Sequence, residues 1–151
     1  MEAEYTLTRK IRELANLITK NRDAEIRALG LTTAQADTLL YFAEHPGLSI
    51  ADLKQFLHTS HQTAQGIVRR MAEKGLLHLS PSQSDGRRRQ VVLTQQAWSL
   101  CQAMRRNGAH AGGLLVRGMG PEERQQVLSL IDLGIQNFSR RSERGDSLHE
   151  A

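Results

Sequence analysis

Residues 49–94 read SIADLKQFLHTSHQTAQGIVRRMAEKGLLHLSPSQSDGRRRQVVLT, and the spacing of apolar side chains changes character along that stretch. Ser49 can cap a short helix over 50–57, with Leu53, Phe56 and Leu57 expected on its inner face. His58-Thr59-Ser60 leaves room only for a tight connection. Thr59 and Gln62 then have the spacing of a capping box, opening a second helix that ends near Lys74-Gly75. At about 100° per residue Ala64, Ile67, Val68 and Met71 gather on one side of it and must face a core. Gln62, Gln65, Gly66, Arg69 and Glu73 fall opposite, with Thr63 and Arg70 at the edge. Two helices joined so closely, the second strongly amphipathic, form a helix-turn-helix pattern. After Gly75 come two short apolar runs, Leu76-Leu77-His78-Leu79 and Val91-Val92-Leu93. They flank a turn-rich basic loop over 80–90, which predicts a β-hairpin.

Outward from this module the pattern is helical on both sides. Leu7, Ile11, Leu14 and Ile18 make one stripe of a helix over 5–27, closed by Gly30. Thr32 with Gln35 forms a capping box for the next helix, whose Ala36, Leu39, Leu40 and Ala43 run up to His45-Pro46-Gly47. Thr94 opens a helix that carries Trp98, Cys101 and Met104, and Gly108, Gly112 and Gly113 predict a bend or break in it. Gly120-Pro121-Glu122-Glu123 starts a last helix, striped by Val127, Leu130, Ile131, Gly134, Ile135 and Phe138. The fold class expected is mainly α with a small β-hairpin wing. In that division residues 1–30 form an N-terminal helix, 31–94 the central module, 95–141 the C-terminal helices and 142–151 a polar tail. The terminal stripes lie far from the module in sequence. In a chain of 151 residues they need a partner surface, and a second copy is the economical one.

Charge points to the partner of the module. Residues 49–94 hold seven basic and three acidic residues, a net of +4 that equals the net charge of the whole chain. A compact positive block between near-neutral flanks is the footprint of a phosphate-binding surface. On the helix over 60–74, Gln pairs bidentately with adenine and Arg with guanine in the major groove of duplex DNA. Thr59, Ser60 and His61 at its start are placed to meet phosphate. In the hairpin, Arg87, Arg88 and Arg89 can fork onto phosphate or enter a minor groove, and Asp85 is close enough to Arg87 to hold the loop's shape.

Taken together, Leu31-Thr32 with Gln35 and Leu39, Ile50-Ala51-Asp52-Leu53, Gly75-Leu76-Leu77, Asp85, Arg87 and Val91-Val92-Leu93-Thr94 resemble the MarR family of bacterial winged helix-turn-helix regulators. The resemblance covers roughly residues 31–97. Gly66 departs from it, standing where the family often has a basic side chain. The resemblance implies a homodimer whose terminal helices interlock and whose two recognition helices enter successive major grooves of a pseudo-palindromic operator. It also implies repression of nearby genes, relieved by a small aromatic acid or an oxidant. By the same analogy an effector pocket lies near Tyr41 and Trp98.

Other chemistries find little support. Cys101 is the only cysteine, so no internal disulfide forms, which fits a reducing cytoplasm. Its place between Trp98 and Met104 predicts a buried thiol rather than a peroxide sensor. His58 and His61 straddle a turn without further ligands, so no metal or cofactor is expected. No Gly-rich phosphate loop and no cysteine–histidine pair suggests an enzyme. No apolar run reaches the roughly 18 residues of a membrane span, and MEAEYTLTRK lacks a secretory signal. Two alternatives remain open: a redox or ligand sensor using Cys101, and a winged-helix module that binds protein.

Overall fold

The computed structural model describes residues 1–84 and 86–144, in the order α1 (Glu2–Ala28), α2 (Thr33–Glu44), α3 (Ile50–Phe56), α4 (His61–Glu73), β1 (Leu77–Pro81), β2 (Arg89–Leu93), α5 (Gln95–Leu115) and α6 (Pro121–Arg144). The chain divides into two compact units, Met1–Ala111 and Gly112–Ala151. It is a mainly helical winged helix-turn-helix fold with a two-stranded antiparallel wing.

The first unit holds the core. Leu39 and Phe42 of α2, Leu53 of α3, Ala64, Val68 and Met71 of α4, Leu77 of β1, Val91 and Leu93 of β2, and Ala97 and Cys101 of α5 are all buried in it. At about 25 cal/mol per Å² of apolar surface removed from water, this shared core is what sets the short helices at fixed angles. Thr32 caps α2 in a full capping box with Gln35, as expected, and Ser49 caps α3 in a second one with Asp52. Arg22 on α1 pairs with Asp37 on α2 at 2.5 Å.

Three helices end in the same way. The N–H of Gly30 donates to Arg27 O and that of Leu31 to Ile26 O. Gly75 and Leu76 repeat the arrangement on Ala72 and Met71. Gly30 and Gly75 have φ of 75° and 74°, the left-handed region that side chains disfavour. The apolar contact that accompanies this motif is in place at both ends, since Leu31 and Ile26, and Leu76 and Met71, are buried. At the end of α3 the same pair of bonds runs from His58 to Gln55 O and from Thr59 to Lys54 O, with His58 at φ 50°.

That ending corrects two sequence expectations. Thr59 is engaged in closing α3, so Ser60 caps α4 instead, its Oγ accepting from the Thr63 N–H at 3.1 Å. Phe56 does not face the core, because seven residues of helix make only two turns and Leu53 occupies the inner position. Its ring lies at the surface and stacks on Tyr41 at 4.2 Å and 10°.

β1 and β2 pair from Leu77↔Leu93 to Pro81↔Arg89. The free edge of β2 is used as well: Val91 N–H donates to Leu48 O at 2.9 Å, tying the wing to the segment before α3. α5 shows no break. Each glycine costs roughly 1 kcal/mol relative to alanine, but none removes a backbone donor as proline would, so the helix continues through them.

In the second unit, Glu123 accepts from the Gly120 N–H at 2.8 Å and opens α6, with Glu122 and Glu123 in its first turn. No described side chain of α6 is fully buried. Among the described residues no helix is long and apolar enough to cross a membrane, and no group of three or more His, Cys, Asp or Glu could hold a metal ion.

Candidate nucleic-acid interface

The two faces of α4 separate as its periodicity requires. Ala64, Ile67, Val68 and Met71 are buried, while His61, Gln62, Thr63, Gln65, Arg69, Arg70 and Glu73 are exposed. The first turn of α4 carries no acidic residue, so the positive end of its dipole faces outward uncompensated. Ser60 Oγ accepts from Thr63 N–H and donates its own proton to Thr63 Oγ1 at 2.9 Å. The Thr63 hydroxyl proton is thereby directed elsewhere, available to an acceptor outside. Thr59, half-buried in the turn, stands behind this end rather than on it.

Gly66 has a local consequence. The guanidinium of Arg70 folds back along α4, and a Cβ built at Gly66 would meet its two terminal nitrogens at 3.7 and 3.8 Å. A long side chain at 66 would compete for that space. Among the described residues, no salt bridge engages Arg69, Arg70 or Arg89.

The wing stands beside this surface. Ser82 N–H donates to Arg88 O at 2.8 Å and narrows the loop, leaving Arg87, Arg88 and Arg89 all exposed. Asp85, expected to shape the loop, lies outside the described residues. Arg88 turns back toward α3, its Nη2 donating to Ser49 Oγ at 3.4 Å. Asp52, which accepts from the Ser49 N–H at 2.8 Å, is held below the ordinary carboxylate range by that bond first. The Ser49 hydroxyl and Arg88 add to the effect, and burial opposes it. Sequence reasoning missed this link between wing and α3. The S-x-x-D spacing of 49–52 was the signal available, but it says nothing about a residue 39 positions away.

Other expected site residues fall elsewhere. Leu7, Ile11, Leu14 and Ile18 are exposed along α1, where only Ile26 is buried. On α6, Ile131 and Phe138 are exposed and Val127 is half-buried. Tyr41 packs against Phe42 and His45 besides Phe56. Trp98, 40% exposed on α5, is not among its ring partners among the described residues. Cys101 is fully buried, and burial pushes its thiol up, with Arg105 acting in the opposite sense.

Residues 29–88, which contain α2 through the wing loop, match the model of the MarR family. This segment, less than half of the chain, is similar to the MarR family. Over 134 residues it is 21% identical to the Bacillus subtilis protein named uncharacterized HTH-type transcriptional regulator YybA, covering 89% of each chain. Over 98 residues it is 31% identical to the transcriptional activatory protein BadR of Rhodopseudomonas palustris, covering 63% of this chain and 56% of BadR. In fold it is similar to MepR of Staphylococcus aureus in a DNA complex, with a TM-score of 0.68 at 21% identity over 89% of this chain and 98% of MepR. The chain is thus similar to MarR-family transcription regulators and shares the fold of one solved with DNA.

Proposed function

We propose that this protein is a homodimeric bacterial repressor of the MarR family that binds a pseudo-palindromic duplex operator and releases it on meeting a small-molecule effector. The observation that carries the reading is the outward face of α4, where Gln62, Gln65 and Arg69 stand on a helix whose N-terminus has no acid, beside a wing with three arginines. In this reading α4 enters the major groove and Gln65 and Arg69 contact base edges. Ser60, His61, Gln62 and Thr63 meet phosphate, Arg70 reaches the flank of the groove beside Gly66, and the wing meets backbone or minor groove. Thr59 has an indirect role there, holding the turn that presents Ser60. That S. aureus MepR, of similar fold, is solved in complex with DNA supports DNA binding by this chain.

Dimerisation is supported by the terminal helices. α1 is 27 residues long and buries Ile26 alone, and a helix so placed does not persist on propensity. Residues 1–30 and 95–141 therefore serve assembly, residues 31–94 serve DNA, and the protein acts where the chromosome is, in the cytoplasm. For the effector we propose a small aromatic acid near Tyr41 and Trp98.

Selection of duplexes from a random pool by the full-length protein tests the reading. The expected product is a motif with two half-sites about one helical turn apart, bound with a steep salt dependence. A pool with no enriched motif, or binding indifferent to salt, overturns it. The sign of regulation is read from transcripts in a strain lacking the protein: a rise supports repression. A fall supports activation, the second reading, which the name of the 31% identical relative BadR favours.

A further inference from the structure

The wing carries three consecutive arginines, and their positions differ. Arg89 pairs with Pro81 at the end of the hairpin ladder, while Arg88 is turned toward α3, with Nη2 donating to Ser49 Oγ at 3.4 Å. Ser49 is the N-cap of α3 and is bonded twice to Asp52, through its N–H at 2.8 Å and its hydroxyl at 2.9 Å. One residue earlier Leu48 O accepts from Val91 N–H at 2.9 Å. A Cβ at Gly47 would lie 3.6 Å from the side chain of Gln90. Residues 47–49 therefore run beside 88–91, bonded to them at Leu48 and Ser49 and closely approached at Gly47.

We infer that Arg88 is a positioning residue rather than a DNA contact: it latches the base of the wing to the Ser49–Asp52 cap of α3 and so sets the angle between wing and recognition helix. This assignment rests on the DNA-binding reading for its consequence, though the latch itself does not. Arg88 bonds the hydroxyl that itself donates to the Asp52 carboxylate, and its charge acts on that carboxylate in the direction that favours a guanidinium there. The helix-turn-helix turn joins α3 directly to α4. Pinning the wing to the start of α3 thus pins it to the element that carries α4. Arginine at 88 is then needed for geometry, and the cationic contact to phosphate falls to its neighbour Arg89, which opens β2, is exposed and makes no salt bridge among the described residues.

Arg88→Ala, Arg88→Lys and Arg89→Ala in the full-length protein separate the roles. Without DNA, Arg88→Ala should speed amide exchange at Val91, whose N–H bonds Leu48 and not β1, and should raise the titration midpoint of the Asp52 carboxyl followed by carbon NMR. Arg88→Lys should restore part of both, and Arg89→Ala should change neither. With duplex DNA, Arg88→Ala should weaken binding to every sequence by several-fold while keeping the wild-type slope of log K against log salt. Arg89→Ala should flatten that slope by about 0.9, the value for one lost phosphate contact. The inference is overturned if Arg88→Ala flattens the slope as Arg89→Ala does, or if it leaves Val91 exchange and the Asp52 midpoint at wild-type values. Should wild-type protein not bind duplex DNA at all, the functional reading fails and the exchange and titration measurements still decide the latch.

Discussion

Gln65 and Arg69 lie one helical turn apart on the exposed side of α4, which is the spacing at which two side chains can meet neighbouring bases in one groove. Replacing either by alanine should cost roughly 1–3 kcal/mol on the selected operator and much less on random duplex. Equal losses on both in a titration would reduce them to phosphate contacts. Asp52 makes a different prediction. Its carboxyl is depressed chiefly by the Ser49 N–H, so its folded value lies below its unfolded one. A depressed acid contributes stability above the unfolded value and loses it as pH falls through the folded value. Urea unfolding at neutral pH and near pH ~3 should therefore show a smaller acid loss for Asp52→Asn than for wild type. Cys101 is buried with its thiol pushed up, so it is protonated and inaccessible at neutral pH. Its reaction with a disulfide reagent should be no faster than unfolding, and peroxide should leave DNA affinity unchanged. Rapid, stoichiometric modification of the folded protein would revive a redox role.

Among the elements, the turn between α3 and α4 holds a residue the backbone disfavours. His58 takes φ 50° where the ends of α1 and α4 have glycine, and a left-handed non-glycine residue costs roughly 1–2 kcal/mol. His58→Gly should relieve that cost, partly offset by the greater freedom of glycine in the unfolded chain. A rise in the urea midpoint at constant m is the expected result, worth up to about 1 kcal/mol. Gly75→Ala should move the midpoint the opposite way. The motif also explains why the recognition helix begins where it does. Once Thr59 N–H is bound to Lys54 O, Ser60 is the first residue able to cap α4, and its alanine variant should lose about 1 kcal/mol.

For the whole molecule the exposed apolar faces of α1 and α6 are the feature to test. Leu7, Ile11, Ile131 and Phe138 are each about half exposed or more within one chain. If a second copy covers them, the thermal midpoint should rise with protein concentration, and sedimentation should show a dimer at micromolar concentration. Leu14→Asp or Ile131→Asp should then dissociate the dimer and lower the midpoint together, because each would bury a charge in the interface. A folded wild-type monomer with a concentration-independent midpoint would refute the assembly. Losing the dimer should also weaken operator binding far more than non-specific binding, since two half-sites are read only when two copies of α4 are held apart at a fixed distance.

Much of this was legible in the order of residues, because it depends on local spacing. The period of Ala64, Ile67, Val68 and Met71 determined which face of α4 is buried, and Thr32 with Gln35 determined the start of α2. The turn-rich basic stretch between two apolar runs determined the hairpin, and Trp98–Cys101–Met104 determined a buried thiol. Tertiary structure decided what depends on meeting a distant segment. Thr59 and Ser60 are equal as caps until the α3 ending consumes one of them. Phe56 is apolar and helical in pattern, yet its ring goes to Tyr41, since α2 offers an aromatic face there and the core place belongs to Leu53. The glycines of α5 do not break it, because a propensity cost of this size removes no backbone donor. Arg88 stands in a run of three identical side chains that no local rule can tell apart. Only the meeting of residues 48–49 with 88–91, which brings Leu48 O to Val91 N–H, turns one of the three, still exposed, toward the α3 cap.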